Sequence, residues 1–378
     1  MRILHVTDAS SAGVLSAVTT LAAAQSALPG VEVAFAYTPR PDSPSIEAIE
    51  ALCGDAVTVT RLCGSPKLAV PALTRALMAA LSLNEADVVH VHSSRGGFLG
   101  RVLAALTGRR SKVVYSPHGF AFKGLEHGER AKSVYRALER LGARLVPRLV
   151  LCSPSEERLA RALAPHADTA VLPNAVDVDA LAAVRAAARP EPDGGHGRPL
   201  TVVHVGRLAE HKRPEVFAAA ALRWSDRSDV PLRFAWLGDG DRSLLPEQVR
   251  VSGWLPKDRL MAELAGADLM LFTSAGEGLP MALLEAQAMG IPAIGEDVTG
   301  IEDVIEDGVT GYLVHSDEEI DAALADLTAD AGLRRRLGLA AASSVASRYG
   351  FMDLGEKSMD VYAELGLVAR SRGEGVSV

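Results

Sequence analysis

Aromatic residues, cysteines and long apolar runs are all scarce in this chain. Of its 378 residues, 48% are hydrophobic but only 4% are aromatic, so Ala, Leu and Val must fill the cores. The three cysteines, Cys53, Cys63 and Cys152, are scattered and lack the spacing of a metal site. This usage indicates a reducing cytoplasm and no disulfide framework. The length predicts two domains of ordinary size.

No stretch of the sequence supplies the ~20 uninterrupted apolar residues that a membrane span requires. The run 12–28 is apolar enough to resemble a signal peptide, but Asp8 precedes it and only Arg2 lies in the segment before it as a basic residue. We interpret the run as the loop and helix that follow a first strand.

Two common nucleotide-binding motifs are also missing. No Gly-x-Gly-x-x-Gly follows the first predicted strand, and no Gly-x-x-x-x-Gly-Lys-Ser/Thr occurs anywhere in the sequence. The sequence therefore gives little support to a dinucleotide dehydrogenase or to a P-loop nucleotidase.

Charge is distributed unevenly along the chain. The net charge of -8 argues against a general nucleic-acid binder. Residues 1–175 hold 19 Lys+Arg and 14 Asp+Glu, whereas the remaining residues hold 20 and 33. We therefore expect the first half, with its net charge of +5, to meet anionic partners.

Lys132, Arg136, Arg140 and Arg144 recur every four residues in a region with a helical pattern. Such a stripe predicts a basic face on one helix, which would gain ~1 kcal/mol per cation near anionic lipid headgroups. A solvated face with Glu139 as a local partner explains the same pattern equally well.

Strand-like runs alternate with helical patterns through most of the sequence. This alternation predicts parallel sheets covered by helices, most simply as two doubly wound, Rossmann-like α/β domains that face one another across a cleft. In the first half the predicted strands are 2–7, 31–37, 87–92, 112–116, 148–152 and 169–172. In the second half they are 200–205, 232–237, 248–253, 267–272, 291–294 and 311–314.

A Pro/Gly-rich stretch at 189–199 marks a loop near the domain boundary, because no regular element accommodates it. We expect an acceptor-side domain over 1–175 and a ligand-binding domain over 176–351. A final helix, about 352–366, is expected to pack back on the first domain.

The most informative motif runs from Glu277 to Glu285. An apolar strand precedes it, and Pro280 suits the first turn of a following helix. Gly278 lets the backbone approach a ligand closely, where the free amides at the helix start present positive partial charge. Glu285, in the second turn, is placed to accept hydrogen bonds from the vicinal hydroxyls of a ribose.

Two cations lie about seventy residues upstream. The strand 200–205 delivers Arg207 at its carboxyl end, and Lys212 follows within reach of the same anion. A guanidinium and a mobile ammonium suit a diphosphate. Any one such charge is ordinarily a solvated surface residue. The set is different, because all its members follow the carboxyl ends of strands, where open α/β sheets bind ligands.

An ordered series of motifs extends this pattern over nearly the whole chain. It comprises Ser116-Pro117-His118-Gly119-Phe120, the segment 172–177, Gly206-Arg207-Leu208 with Lys212, the segment 237–240, the segment 277–285, the segment 288–292 and the segment 306–314. With this series the chain resembles the retaining family 4 (group 1) glycosyltransferases of the GT-B fold. The resemblance implies a nucleotide-sugar donor, with UDP as the expected nucleotide.

The resemblance also implies roles for individual residues. Arg207 and Lys212 would bind the donor diphosphate and stabilise the charge that develops on it as the sugar leaves. Glu285 would bind the ribose, and Glu277 would contact the donor sugar. His118 would lie near that sugar.

Further donor contacts are implied by the same resemblance. The backbone of Gly278, Leu279, Pro280 and Met281 would lie near the sugar. Gly13, in the first strand-to-helix loop, would leave room for the diphosphate or the acceptor. Leu255, in the loop 253–255, would rest against the base.

The chain departs from the family pattern at two places. Ser11-Ala12-Gly13 retains one glycine where two are common, and Leu279-Pro280 replaces the common Phe-Gly, as in members that assemble polysaccharides. His90 and His92 flank a strand end without a third metal ligand, so we interpret them as structural.

The expected enzyme is a metal-independent hexosyltransferase, cytoplasmic and peripheral at the membrane, without a cofactor. Its acceptor would be a saccharide, a polysaccharide or a lipid-linked sugar. The triplets Asp177-Val178-Asp179 and Asp239-Gly240-Asp241 spell the Asp-x-Asp of metal-dependent sugar transferases, but short acidic triplets arise often by chance. Two other classes stay open: a sugar-nucleotide epimerase of the same fold, and a non-catalytic protein that binds sugar nucleotides.

Overall fold

The computed structural model describes residues 1–83, 85–124, 128–188, 198–225 and 232–369. Its elements up to residue 171 alternate almost regularly between strand and helix. In chain order they are β1 Arg2–Thr7, α1 Ala12–Ser26, β2 Glu32–Tyr37, α2 Ile46–Cys53, β3 Val57–Arg61, α3 Ala69–Ser82, β4 Val88–His92, α4 Ser94–Leu106, β5 Val113–Ser116, α5 Glu129–Leu145, β6 Arg148–Leu151, α6 Pro154–Leu163 and β7 Asp168–Val171.

The same alternation continues to residue 314, after which three helices follow. The remaining elements are α7 Val178–Ala188, β8 Leu200–Val205, α8 Pro214–Ser225, β9 Leu232–Leu237, β10 Val249–Val251, α9 Lys257–Ala265, β11 Leu269–Phe272, α10 Met281–Ala288, β12 Ala293–Glu296, β13 Gly311–Val314, α11 Asp317–Ala329, α12 Ala331–Tyr349 and α13 Leu354–Glu364.

The chain divides into two compact units. The first unit comprises the described residues of Met1–Phe122, Arg130–Asn174 and Met352–Val378, and the second those of Lys123–Glu129 and Ala175–Phe351. The Pro/Gly-rich stretch 189–199 lies outside the described residues except for its last two positions.

Each unit contains one parallel sheet. The strand order is β3-β2-β1-β4-β5-β6-β7 in the first unit and β10-β9-β8-β11-β12-β13 in the second. In both, the order runs one way from the first strand of the unit and then the other way, as in doubly wound folds. The strand order therefore reverses between β1 and β4 and between β8 and β11. The predicted α/β class with two Rossmann-like sheets is confirmed.

Four predicted strands, β1, β8, β9 and β13, have the bounds expected from the sequence. The edge strand β3 was missed: its Val-Thr alternation is short and mostly exposed, so it lacks the apolar run of a central strand. β12 begins two residues later than predicted, since Pro292 has no N–H to donate to a ladder.

The core of each unit lies between its sheet and the covering helices. In the first unit α1 packs on α13, and a Cβ at Gly355 would lie 2.5 Å from the carbonyl oxygen of Ala24. The apolar run 12–28 is therefore largely the buried helix α1. Among the described helices, none combines the length and apolar character needed to cross a bilayer.

Candidate active site

In the second unit, two loops meet where the strand order reverses. The loop after β8 carries His211 and Lys212, and the loop after β11 carries Thr273 and Ala275. The amide of Ala275 donates to the carbonyl of His211 at 2.9 Å, and the hydroxyl of Thr273 donates to the carbonyl of Lys212 at 2.7 Å. These bonds fix Lys212 beside the segment that leads into α10.

Lys212 and Glu277 form the central ion pair of this site. Lys212 Nζ lies 2.5 Å from Glu277 Oε1, and the two side chains are only 15% and 18% exposed. The ammonium also lies 5.6 Å from the centre of the Phe272 ring. Burial alone would raise the pKa of Glu277, but the charge and hydrogen bond of Lys212, with smaller contributions from His211 and Ser274, hold it below its ordinary value. Glu277 is therefore ionised at neutral pH.

Contacts from strand β9 and from the loop after it fix the backbone around Arg207. The indole of Trp236 donates to the carbonyl of Gly206 at 2.8 Å. A Cβ at Gly238 would lie 2.0 Å from that carbonyl oxygen, and one at Gly240 would lie 2.4 Å from the carbonyl oxygen of the residue after Arg207. The motif Gly-Asp-Gly after β9 is thus needed so that the two loops can approach each other.

The segment Gly278–Met281 lies between the strand end and α10. Leu279 and Met281 are 4% and 7% exposed, and Pro280 occupies the N-cap position without a side chain that caps the helix. The amide of Glu277 donates to the carbonyl of Thr299, in the loop after β12, at 2.9 Å. The amides at the start of α10 lack partners within the helix and supply the positive end of its dipole.

Glu285 lies in the second turn of α10, as expected. Its side chain is 6% exposed and pairs with Lys257, the first residue of α9, whose side chain is 45% exposed. The loop before Lys257 contains Leu255, which is half-buried, and Trp254, which is 54% exposed. The ion pair thereby ties the start of α9, next to this loop, to Glu285.

The acidic triplets have local partners. The carboxylate of Asp239 accepts from Arg242 at 2.9 Å, and that of Asp241 accepts from the hydroxyl of Ser243 at 2.6 Å. Asp177 accepts from the amide of Ala180 at the start of α7. These contacts stabilise the turn after β9 and the start of α7.

In the first unit, His118 follows β5 in a strained loop. Its φ is +54°, which is uncommon for a residue other than glycine. Its Nε2 lies 2.9 Å from Nδ1 of His92, while its own Nδ1 is buried and has no hydrogen-bond partner among the described residues. Burial and the neighbouring His5 lower the pKa of His118 to about 4, so the ring is neutral at pH 7.

Gly13 lies in helix α1 and not in the loop where it was expected. It was predicted in the loop between β1 and α1, but α1 begins at Ala12 after an extended Ser11, so Gly13 is the second residue of the helix and is exposed. The helix starts early because Ala12 adopts a φ of +51°, which turns the chain directly from the loop into the helix.

His90 and His92 have a third histidine beside them, His5, which the sequence interpretation did not bring together with them. Nitrogen atoms of the three rings lie within 4.8 Å of one another, a spacing compatible with a metal ion. However, all six ring nitrogens already have hydrogen-bond partners within the core. The structural interpretation of His90 and His92 agrees with these contacts.

The basic stripe lies on α5, a helix as predicted. Arg140 and Arg144 are exposed, whereas Lys132 and Arg136 are half-buried. One of the two interpretations of the stripe made Glu139 a solvated local partner, and this part of it was wrong: Glu139 is buried and accepts from Arg101 at 2.7 Å and from Tyr115 at 2.9 Å.

Sequence reasoning missed several residues that position the site. Lys257 pairs with Glu285, and the carbonyl of Thr299 accepts from the amide of Glu277. Gln25 and His5 are linked to His118 by hydrogen bonds that pass through His92. A usable signal existed for Lys257 and Thr299, because both follow the carboxyl ends of strands. Gln25 lies inside an apolar helix and carries no comparable local signal.

Comparison with known proteins assigns the family. A model described as "Glycosyl transferase 4-like domain" matches residues 12–175, and one described as "Glycosyl transferases group 1" matches residues 199–330. The chain is 31% identical over 255 residues to UDP-Gal:alpha-D-GlcNAc-diphosphoundecaprenol alpha-1,3-galactosyltransferase of Escherichia coli. This match covers 63% of this chain and 65% of that protein. It is also 31% identical over 308 residues to 2-deoxystreptamine N-acetyl-D-glucosaminyltransferase of Streptomyces fradiae, covering 73% of this chain and 70% of that protein.

Solved structures with the same architecture match almost the entire chain. Sucrose-phosphate synthase from Thermosynechococcus elongatus superposes with a TM-score of 0.78 at 18% identity, covering 97% of this chain and 99% of that one. HepE from Anabaena in complex with UDP superposes with a TM-score of 0.71 at 17% identity, covering 96% and 100%. The chain therefore belongs to the group 1, family 4-type glycosyltransferases and has their GT-B fold.

Proposed function

We propose that this protein is a retaining glycosyltransferase that moves a hexose from a UDP-linked donor to a saccharide, polysaccharide or lipid-linked acceptor. The observation that carries the proposal is the Lys212–Glu277 ion pair at the point where the second sheet reverses its strand order. Ligands of open α/β sheets bind at such points.

The donor diphosphate is assigned to Arg207 and Lys212. Lys212 is already largely removed from water, so its interaction with an oxyanion is stronger than that of an exposed lysine. In the free protein Glu277 neutralises this ammonium. A bound diphosphate would share it, and the additional charge that develops as the sugar leaves would be stabilised by Lys212 and Arg207 together.

Glu285 is assigned to the ribose. It is a buried carboxylate in the second turn of α10 that pairs with Lys257, and it can accept two hydrogen bonds from vicinal hydroxyls. The half-buried Leu255 is assigned to the base, whose flat apolar faces suit such a side chain.

The sugar is assigned to Glu277, the backbone of Gly278–Met281, and His118. Glu277 is ionised and accepts from hydroxyl groups, while the amides at the start of α10 donate. Gly13 is assigned to the diphosphate or the acceptor, because an exposed glycine leaves room beside the chain. The positive groups named so far supply the field that a divalent ion would otherwise provide, so we propose that transfer needs no metal.

The names of similar proteins support the donor and acceptor classes. The E. coli relative is named for UDP-galactose and a diphosphoundecaprenol-linked acceptor, and the HepE structure holds UDP. A lipid-linked acceptor would bring the enzyme to a membrane surface, where the exposed Arg140 and Arg144 of α5 would face anionic headgroups. Retention of the protein by anionic liposomes at low salt would test this surface.

A panel of UDP-, GDP- and dTDP-sugars separates the open classes. We expect a UDP-hexose to raise the melting temperature most and to release UDP when an acceptor is added, with EDTA making no difference. NMR of the product should show the anomeric configuration of the donor. Release of a free epimerised sugar without an acceptor would indicate an epimerase, and tight binding without turnover on any acceptor would indicate a binding protein.

A further inference from the structure

A chain of hydrogen bonds inside the first unit runs from Gln25 on α1 to His118. Gln25 Oε1 lies 2.7 Å from His5 Nε2, and His5 Nδ1 lies 3.0 Å from His92 Nε2. His92 Nδ1 lies 2.9 Å from His118 Nε2. A histidine ring nitrogen either donates or accepts, so the direction of every bond in this chain depends on its starting point.

A serine on α13 fixes that starting point. The hydroxyl of Ser358 donates its only proton to the carbonyl of Gly355 at 2.6 Å. Its oxygen, 2.9 Å from Gln25 Nε2, must therefore accept. This requires the amide nitrogen of Gln25 to point toward Ser358 and its carbonyl oxygen toward His5.

A second, independent route gives the same orientation. Ser116 donates its proton to the carbonyl of Val150 at 2.7 Å, so it accepts from His90 Nε2 at 2.8 Å. The bare Nδ1 of His90 then accepts from the hydroxyl of Tyr362 at 2.8 Å. The oxygen of Tyr362 is left to accept from Gln25 Nε2 at 3.1 Å.

The direction of the remaining bonds follows. Because Gln25 accepts through Oε1, His5 carries its proton on Nε2 and accepts through Nδ1. His92 must then donate from Nε2, and His118 must donate from Nε2 to the bare Nδ1 of His92. One proton per ring is assured by burial, which lowers the pKa of His5 to about 4 and that of His92 well below its usual range.

We propose that Gln25, acting through His5 and His92, is a positioning residue that holds His118 in the tautomer with its proton on Nε2 and a bare Nδ1. This inference rests on the proposed function for its consequence. The buried, unpartnered Nδ1 of His118 then accepts from an O–H or N–H of the sugar and repels a phosphate oxygen.

The wild-type protein provides the first test. Long-range ¹H–¹⁵N correlation spectra of protein labelled with ¹⁵N-histidine distinguish a protonated ring nitrogen from a bare one. We expect His5, His90, His92 and His118 all to be protonated on Nε2 only, with the His118 signals assigned by their loss in His118→Asn. A proton on Nδ1 of His118 at pH 7 would overturn the proposal.

Two variants then test the role of Gln25. Gln25→Met removes the acceptor with little change of volume, so His118 should populate both tautomers and kcat/KM should fall by roughly fivefold to tenfold. Ser358→Ala is the matched control: it removes a buried hydrogen bond of the same amide, but Tyr362 still holds its orientation. It should keep the single tautomer, and a merely structural Gln25 would leave the tautomer unchanged in both variants.

The outcomes separate this inference from the proposed function. If the tautomer is as inferred but His118→Asn transfers sugar at the wild-type rate, the relay stands and the sugar contact fails. If transfer depends on His118 but Gln25→Met retains a single Nε2–H tautomer, the contact stands and the relay fails.

Discussion

The two units share the same doubly wound strand order but differ in the polar groups near the point where that order reverses. In the first unit these groups include a cluster of buried, neutral imidazoles as well as the ion-paired Asp8 after β1. In the second they are ion pairs, Lys212 with Glu277, Lys257 with Glu285 and Arg213 with Glu296. Topology therefore determines where ligands bind, whereas the chemistry of the site comes from side chains that the fold leaves free to vary.

Acidification should act first on the unit with the neutral cluster. The folded-state pKa of His5 and His118 is about 4, below the unfolded value, and those of His90 and His92 are also lowered. The contribution of these histidines to the free energy of unfolding is therefore complete above pH 6.5 and is lost as the pH falls toward 4. Protonation of the four histidines together lowers the free energy of unfolding by at most roughly 5 kcal/mol per pH unit.

The tryptophans allow the two units to be followed separately. All three, Trp224, Trp236 and Trp254, lie in the second unit, where lowered pKa values belong to His204 and to carboxylates such as Glu277, whose ordinary value of 4.5 is already below that of histidine. Circular dichroism in mild urea should therefore change at higher pH than tryptophan fluorescence. His5→Asn should flatten the dependence, while the exposed His315→Asn should not. A free energy of unfolding that stays constant between pH 6.5 and 4.5 would contradict a neutral cluster.

Removing one charge of the central ion pair should affect transfer next most strongly. Lys212→Met is expected to lower kcat about 100-fold to 1,000-fold, because loss of one preorganised charged donor costs ~3 kcal/mol at the transition state. Steady-state kinetics with the donor identified by the nucleotide-sugar panel provide the measurement. Lys357→Met, which removes another ion-paired lysine, is the control. A raised KM with unchanged kcat would restrict Lys212 to binding.

The smallest effect is expected at the exposed cation of the second pair. Lys257→Met should weaken UDP binding by about fivefold, since partly exposed ion pairs contribute up to ~1 kcal/mol. Isothermal titration calorimetry measures this change, and Lys257→Arg should restore most of the affinity. Equal affinities for Met and Arg at this position would mean that Glu285 needs no counter-ion.

Local sequence signals were sufficient for most of the strands and for the charged residues that follow two of them. The apolar run of β11 and Pro280 located the segment that carries Glu277, and the bounds of β8 located Arg207. Both depend on residues close together in the chain. The exposed edge strand β3 failed the same test, because its pattern resembles that of a loop.

Contacts between distant segments were not predictable in the same way. One interpretation of the basic stripe placed Glu139 on a solvated face, yet its partner Arg101 comes from another helix. The bond from Gln25 to His5 joins a helix to a strand that precedes it, and a glutamine among alanines gives no sign of it. Such pairs are set by packing across the sheet, which periodicity does not encode.

The return of α13 to the first unit has a consequence for biosynthesis. Gln25 receives its two hydrogen-bond acceptors from Ser358 and Tyr362, which are 333 and 337 positions further along the chain. During translation the first sheet can form long before residues 358–362 leave the ribosome. A nascent polypeptide stalled before them would contain all of β1–β7 and yet leave the hydrogen bonds that link His5, His92 and His118 free to run in either direction.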